Sequence, residues 1–182
     1  MAVNQPPWPR EWLMTDERLG EKLWEAVGAL PEGAGIIFRH YGLGNEARLE
    51  LGLRLAELAR ERDLVFGVAG NQQLAERLYA ALVHNPDKAG AKPCSMAVHD
   101  EQQALAARSV RPSLAFVGPV YPTRSHPGAP ALGVDRAAAL ARQAGCPAIA
   151  LGGMNRARFE GLKSGGFYGW AGIDAWLDAT KT

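Results

Sequence analysis

The segment from Gly118 to Gly133, GPVYPTRSHPGAPALG, is rich in side chains that can bind a ligand. Its central residues supply two hydroxyls, a guanidinium and an imidazole, from Thr123, Arg124, Ser125 and His126. The surrounding prolines fix the backbone φ angle at several positions and so brace this cluster. A plain connection between two elements needs no such concentration of donors. The segment is therefore predicted to be a binding loop.

Further polar residues stand where other short apolar runs of the chain end. They are Arg39, His40, Tyr41, Asn71, His84 and His99. A single histidine is usually a structural residue, but residues at the carboxyl ends of parallel strands meet on one face of a barrel. The joint placement of these side chains therefore predicts a ligand cleft on that face.

Two successive glycines, Gly152 and Gly153, lie between a predicted strand and a predicted helix. Without a Cβ, they let backbone N–H groups come close to an anion. Gly172 and Ile173 hold the equivalent place after the last predicted strand. Because the loops after strands seven and eight of a barrel commonly bind phosphate, these four residues are predicted to form a phosphate site. A plain tight turn is the alternative reading.

Short apolar runs alternate with longer amphipathic ones along the chain. Runs rich in Val, Ile or aromatic residues predict strands, at 11–15, 34–39, 64–69, 81–84, 94–98, 114–118, 148–152 and 167–171. The patterns between them predict helices, at 19–29, 45–62, 72–80, 100–108, 134–144, 154–163 and 173–180. In the helix over 45–62, Asn45 is the predicted N-cap, and an apolar stripe is formed by Leu49, Leu53, Ala56 and Leu58.

Strands that alternate with helices predict parallel pairing through right-handed crossovers. Eight strands favour a compact (β/α)8 TIM barrel, which we expect to form one domain over residues 1–182. An open doubly wound sheet is the alternative, because the chain is short for a barrel.

Composition limits the classes of partner. Lys+Arg is 20 and Asp+Glu is 19, so the net charge of +1 offers no broad basic field for nucleic acid. We find no secretory signal and no apolar run long enough for a membrane span, so the expected compartment is the cytoplasm. Cys94 and Cys146 have neither metal-ligand nor redox spacing and are expected to be reduced.

Three motifs together resemble the thiamine phosphate synthase/TenI superfamily. They are LMTDER at the first predicted strand, GPVYPTRSHPGAPALG at the sixth and AIALGGM at the seventh. The resemblance extends from about Trp12 to Ala175 and implies a compact (β/α)8 barrel. It also implies a synthase that joins hydroxymethylpyrimidine pyrophosphate to thiazole phosphate and releases pyrophosphate.

The resemblance implies roles for the residues that match. Thr123 and Ser125 match the hydroxyl residues that contact the pyrophosphate, and His126 stands where the family carries a lysine. The implied pyrophosphate side consists of Arg39, Asn71, Thr123, Arg124, Ser125 and His126, with Arg39 and His126 the candidates for catalysis. The implied cleft lining consists of His40, Tyr41, His84 and His99, and the implied phosphate side is the glycine pair with Gly172 and Ile173.

The chain departs from the family pattern at the metal positions. The family's two magnesium-binding aspartates fall on Gly70 and Ala89. Mg²⁺ is therefore implied by resemblance while its expected ligands are missing, and no metal ligand is predicted. Two alternatives stay open: a TenI-like thiazole tautomerase, and a non-catalytic barrel that binds a phosphorylated ligand.

Three tryptophans lie close together in the sequence near the N-terminus. Trp8, Trp12 and Trp24 are predicted to cover the bottom of the barrel, and a homo-oligomer contact is the alternative.

Overall fold

The computed structural model describes residues 8–125, 128 and 130–178. Its eight strands form a closed barrel in chain order. They are β1 (Glu11–Met14), β2 (Gly35–Phe38), β3 (Val65–Ala69), β4 (Leu82–His84), β5 (Cys94–Val98), β6 (Leu114–Val117), β7 (Ala148–Leu151) and β8 (Gly169–Gly172). Each strand pairs in parallel with the next, and β8 pairs with β1. The predicted barrel is confirmed, and the open sheet is wrong.

Seven α-helices of the described residues connect the strands. They are α1 (Lys22–Gly28), α2 (Asn45–Glu61), α3 (Gln72–Arg77), α4 (Glu101–Val110), α5 (Val134–Ala144), α6 (Arg156–Glu160) and α7 (Ala175–Asp178). Short 3₁₀ turns lie at Glu17–Leu19 and Lys163–Gly165. The connection from β4 to β5 has no helix in residues 85–93. Gly90, Pro86 and Pro93 in this connection explain this, since both residue types disfavour a helix interior.

The inside of the barrel is filled by alternate residues of the strands. This interior cluster contains Trp12, Met14, Ile37, Ala69, Leu82, Leu114, Phe116, Ile149 and Ala171. Trp12 is fully buried there, and Trp8 packs against the same cluster. Trp24 packs against the outer layer between strands and helices, beneath the guanidinium of Arg54. Trp8 and Trp12 thus pack on the barrel interior and Trp24 outside it, and their role in covering the bottom of the barrel stays a prediction.

The details of α2 differ from the prediction in two ways. Gly44 is the N-cap and Asn45 is the first residue of the helix, so the predicted N-cap is wrong by one residue. The buried residues of the helix are Gly52, Leu55 and Ala59, whereas Leu53 is 50% exposed. Leu49, Ala56 and Leu58 of the predicted stripe are partly buried against the core, so the stripe is wrong at Leu53. It also leaves out Gly52, which has no side chain to reveal its burial. A Cβ on Gly52 would lie 2.5 Å from Leu78 Cδ1, so a larger residue there would require the Leu78 side chain to shift.

Within the described residues, none of the helices combines the length and the apolar character that crossing a bilayer requires.

Candidate functional site

A cavity of about 570 Å³ opens at the carboxyl ends of the strands. Its walls are Arg39 after β2, His99 after β5, and parts of the loops after β6, β7 and β8. These parts lie within residues 119–125, 151–155 and 172–175 and include Pro130, and Arg158 of α6 also lines the cavity. The segment, the arginine and the glycine pair that the sequence singled out therefore share one cavity, although 133 positions separate Arg39 from Gly172.

The hydroxyls of the 118–133 segment lie next to each other in the cavity wall. Thr123 Oγ1 and Ser125 Oγ are 2.9 Å apart, and the backbone N–H of Ser125 points at Thr123 Oγ1 over 3.4 Å. The guanidinium of Arg124 is largely exposed and forms an ion pair with Asp174 at 3.2 Å. His126, the fourth residue of the predicted cluster, lies outside the described residues.

Backbone hydrogen bonds hold the start of this segment against the end of β7. Val120 N donates to Leu151 O at 2.8 Å, and Tyr121 N donates to Gly152 O at 3.1 Å. The far end folds back, with Gly133 N donating to Val120 O at 3.1 Å. The segment is thus braced by hydrogen bonds to its own ends and to β7 as well as by its prolines.

Arg39 is anchored at the ends of β1 and β2. Its Nε donates to Thr15 O at 2.7 Å, and its Nη2 donates to Asp16 Oδ2 at 3.1 Å. Burial alone would raise the pKa of Asp16, but hydrogen bonds from Arg18 and the charges of Arg18 and Arg39 hold this pKa below its ordinary value. Burial lowers the pKa of Arg39, with Asp16 opposing the shift. An arginine nevertheless stays charged in a protein, so the cavity receives a fixed cation.

A second arginine fixes the backbone behind Arg39. Arg48 of α2 donates through Nη2 to Arg39 O at 2.8 Å and to Ala69 O at 2.9 Å. Its guanidinium lies 5.7 Å from the ring centroid of Phe38 and 5.2 Å from that of Tyr41. Arg48 therefore ties the ends of β2 and β3 to the helix between them.

Of the residues predicted to line the cleft, only His99 is among the cavity-lining residues; His40, Tyr41 and His84 lie outside that set. His40 is buried and its Nδ1 lies 3.0 Å from Thr15 Oγ1, and burial lowers its pKa. Tyr41 is exposed beside Arg48.

His84 lies inside the barrel, edge-on to Phe116 and 3.0 Å from Ser95 Oγ. Burial lowers the pKa of His84 to about 3, with smaller contributions from the charges of Arg39 and His99. His84 is therefore neutral at physiological pH, and its hydrogen bond to Ser95 is part of the barrel interior.

His99 has a defined orientation in the wall of the cavity. Its Nδ1 lies 2.5 Å from Gly118 O, and its backbone N–H donates to Gln103 Oε1 at 2.8 Å. A carbonyl oxygen only accepts, so Nδ1 carries a proton and Nε2 is the acceptor of the neutral ring.

The glycine pair after β7 has a conformation that other residues rarely adopt. Gly152 has φ +94° and Gly153 has φ +60°. A Cβ on Gly152 would lie 2.5 Å from Pro119 Cα, and one on Gly153 would lie 2.7 Å from Pro122 O. The glycines are therefore required for the 118–133 segment to pack on this turn. They also leave the backbone of the turn bare where it meets the cavity.

The sequence analysis missed Asn155 and Arg158, which lie beyond the glycine pair in the cavity wall. Asn155 is the N-cap of α6, and its Oδ1 accepts a hydrogen bond from Arg158 N at 2.8 Å. Asparagine before a helical pattern is a typical N-cap signal. That signal fixes where α6 begins, and hence that Arg158 lies in its first turn, but not that the turn faces a cavity.

The ends of β3 and β4 contribute nothing to this cavity. Asn71 caps α3, with Oδ1 accepting from Leu74 N at 2.7 Å, so its predicted contact with pyrophosphate stays a prediction. Asp87 Oδ1 faces Gln72 N at 3.4 Å. No group of three or more His, Cys, Asp or Glu residues within the described ranges is placed to hold a metal ion. The sequence resemblance places magnesium-binding aspartates at Gly70 and Ala89. These residues supply no carboxylate, so they do not fit Mg²⁺ at that place.

A closed parallel barrel with a cavity at the carboxyl ends of its strands defines a (β/α)8 barrel of the kind that carries ligand sites. Residues 12–176 match the family model described as thiamine monophosphate synthase. The chain therefore belongs to this family, as the three sequence motifs predicted.

A curated relative whose name refers to thiamine biosynthesis is consistent with this family. The thiamine biosynthesis bifunctional protein ThiED of Geobacter sulfurreducens is 29% identical over 140 residues, which are 70% of this chain and 29% of that protein. The chain thus spans less than a third of the length of that curated relative.

The fold is shared with solved structures. Thiamine phosphate pyrophosphorylase from Pyrococcus furiosus superposes with a TM-score of 0.79 at 22% identity, covering 93% of this chain and 87% of that one. The corresponding protein from Bacteroides thetaiotaomicron gives a TM-score of 0.60 at 17% identity, covering 91% and 83% of the two chains. At these identities the superpositions establish the fold.

Proposed function

We propose that the chain is a divergent thiamine phosphate synthase, which joins hydroxymethylpyrimidine pyrophosphate to thiazole phosphate and releases pyrophosphate. The observation that carries this proposal is the single cavity that contains Arg39, Thr123, Ser125 and the glycine pair Gly152–Gly153. Membership of the family supports the same reaction.

On this proposal the thiazole nitrogen uses its lone pair to form a bond to the methylene carbon of the pyrimidine. The bond from that carbon to the pyrophosphate oxygen breaks, and its electron pair leaves with pyrophosphate. Negative charge therefore develops on the leaving group, and donors fixed in advance around it stabilise the transition state. The protein also holds the two substrates side by side, which lowers the entropic cost of their encounter.

The pyrophosphate is proposed to bind between Arg39 and the 118–133 segment. Arg39 supplies a fixed charge, since Thr15 and Asp16 hold its guanidinium from behind. Thr123 and Ser125, which line the same cavity, supply hydroxyl donors. We propose Arg124 and His126 as further cations of the same subsite. Breaking the ion pair between Arg124 and Asp174 would free the guanidinium of Arg124 for the ligand.

The thiazole phosphate is proposed to bind at the glycine pair and the backbone around Gly172 and Ile173. Both stretches border the same cavity. Neither glycine carries a side chain that would keep an oxyanion away from the backbone. Asp174 also lies in this wall and would repel a phosphate.

The test is to supply both substrates to the purified protein and to measure pyrophosphate release together with formation of thiamine phosphate. We expect both products in equal amounts. If the protein binds the substrates without turnover, it is a binding barrel. If it tautomerises a thiazole carboxylate phosphate and forms no thiamine phosphate, the TenI-like activity replaces the proposal.

A further inference from the structure

Arg158 lies in the wall of the cavity with contacts that orient its guanidinium, although no sequence motif singled it out. Its guanidinium lies 4.7 Å from the ring centroid of Tyr121, over the face of the ring. Its Nη1 donates to the carbonyl oxygen of Gly153, and its backbone N–H is held by Asn155. A guanidinium has five N–H donors in a plane. Stacking uses the face of the group, so the remaining donors along its edge stay available to a ligand.

The charge of Arg158 distinguishes it from the other arginines of the cavity. Arg39 is paired with Asp16 at 3.1 Å, and Arg124 is paired with Asp174 at 3.2 Å. Among residues 8–125, 128 and 130–178, none of the ion pairs within 4.0 Å involves Arg158. Of the three arginines that line the cavity, Arg158 is thus the one whose charge no described carboxylate offsets.

The position of Arg158 indicates which group this charge meets. The residue contacts Gly153, the second residue of the turn where the thiazole phosphate is proposed to bind. The last strand is followed by the acidic Asp174 in the same wall. A phosphate there needs a compensating cation, and arginine binds phosphate through paired, charge-assisted hydrogen bonds.

We propose that Arg158 binds the phosphate monoester of the thiazole substrate and makes the site selective for the phosphorylated thiazole over the corresponding alcohol. This inference rests on the proposed function, since it names a residue of the same site. It assigns a side chain to a subsite that was otherwise built from backbone.

The experiment is calorimetric titration of the protein with thiazole phosphate, with the thiazole alcohol and with inorganic phosphate. Arg158→Gln removes the charge, and Arg158→Lys keeps a charge without the planar fork. Arg156→Gln is the matched control, because Arg156 lies on the same helix but is paired with Glu11 at 2.9 Å and is not part of the cavity wall.

We expect Arg158→Gln to weaken binding of thiazole phosphate by about tenfold or more, the usual loss for a hydrogen bond to a charged group. The alcohol should bind within about twofold of the unmodified protein, since it lacks the group that Arg158 contacts. Arg158→Lys should recover part of the loss, and Arg156→Gln should behave as the unmodified protein.

Equal weakening for phosphate and alcohol would overturn the inference, because it would show a structural rather than a charge effect. So would an Arg158→Gln affinity for thiazole phosphate equal to that of the unmodified protein. If the unmodified protein binds inorganic phosphate through Arg158 but not thiazole phosphate, the arginine site stands and the proposed function fails. If neither phosphate ligand binds, both are overturned.

Discussion

Both halves of the barrel rim carry polar side chains, but only those of one half line the cavity. The β6–β8 side, residues 118–125, 151–155 and 172–175, forms most of the cavity wall. The β3–β4 side, residues 70–72 and 84–89, carries equally polar side chains that contribute nothing to the wall. Both sides hold an asparagine N-cap, at Asn155 and at Asn71, with cap distances of 2.8 and 2.7 Å.

The difference lies in what the polar atoms of each side already bind. On the β3–β4 side Asn71 caps a helix, His84 bonds Ser95 inside the barrel, and Asp87 faces the backbone of Gln72. These groups already have hydrogen-bond partners within the protein. On the β6–β8 side the bare backbone of the glycine pair and the guanidinium of Arg158 border open volume. On the β3–β4 side, where the sequence resemblance places the family's metal, the described polar groups therefore serve the structure of the barrel.

The largest effect is expected from Arg39→Gln, which removes the cation that the loop after β2 contributes to the cavity. The rate of pyrophosphate release should fall by about 100-fold, the usual loss for a donor that stabilises transition-state charge. Arg18→Gln is the matched control. Arg18 also bonds Asp16, at 2.9 Å, but is not part of the cavity wall, so its rate should change little. Equal losses in the two variants would show that Asp16, rather than the cation, is what matters.

His84→Asn tests the β3–β4 side through the pH dependence of the free energy of unfolding. The unfolded imidazole takes up a proton near its ordinary pKa of 6.5, and the folded one only near a pKa of about 3. Between these values the unfolded state binds more protons. The free energy of unfolding should therefore fall as pH falls, by up to about 1.4 kcal/mol per pH unit from this group.

The variant should remove this part of the pH dependence and leave substrate affinity unchanged. Denaturant unfolding between pH 7 and pH 4 measures the slope. An unchanged slope would show that His84 titrates normally in the folded protein.

The two caps give a matched pair. Asn71→Ala and Asn155→Ala should each lower the free energy of unfolding by about 1 kcal/mol, because each removes an N-cap hydrogen bond. Only Asn155→Ala should also weaken binding of thiazole phosphate, since its cap holds the backbone of Arg158. Calorimetry and thermal unfolding of both variants measure the contrast. Weaker pyrophosphate binding by Asn71→Ala would support the contact predicted from the sequence. It would contradict the view that the β3–β4 side takes no part in ligand binding.

The smallest effect is expected from metal removal. Chelating Mg²⁺ should change the affinity for pyrophosphate by less than about threefold, because proteins hold this ion through carboxylates together with substrate phosphates. The family positions offer only Gly70 and Ala89. Titration of pyrophosphate with and without a chelator measures this. A strong dependence on Mg²⁺ would mean that carboxylates elsewhere on the rim serve the ligand.

The fold could be predicted from the sequence because its signals are local. Eight short apolar runs separated by helical patterns specify strands that are buried on both faces, and parallel pairing follows from the helices between them. Within α2 the same reasoning was right for Leu49, Ala56 and Leu58, but it missed Gly52, which is buried and carries no apolar side chain to reveal it. How closely a helix packs on its neighbour depends on the side chains of both. The apolar pattern of the helix alone therefore does not show it.

The candidate site was predictable in part. The 118–133 segment and the glycine pair stand out by composition, and both line the cavity. His40 and His84 stand out equally, yet their ring nitrogens bond Thr15 and Ser95 in buried places. A residue type shows which chemistry a side chain can perform, but its burial and partners depend on contacts from distant parts of the chain.

The sequence by itself determined the alternation of strands and helices, the family and the loops rich in donors. Only the tertiary structure decided which half of the rim opens into a cavity and which arginine there has no carboxylate partner among the described residues. Arg158 shows the physical reason. It contacts Gly153 five residues away, but it shares the cavity with Arg39, 119 positions earlier, because the closed barrel brings both residues to one cavity. The net charge around a group in a cavity depends on residues that are far apart in the sequence. A local sequence pattern therefore does not predict it.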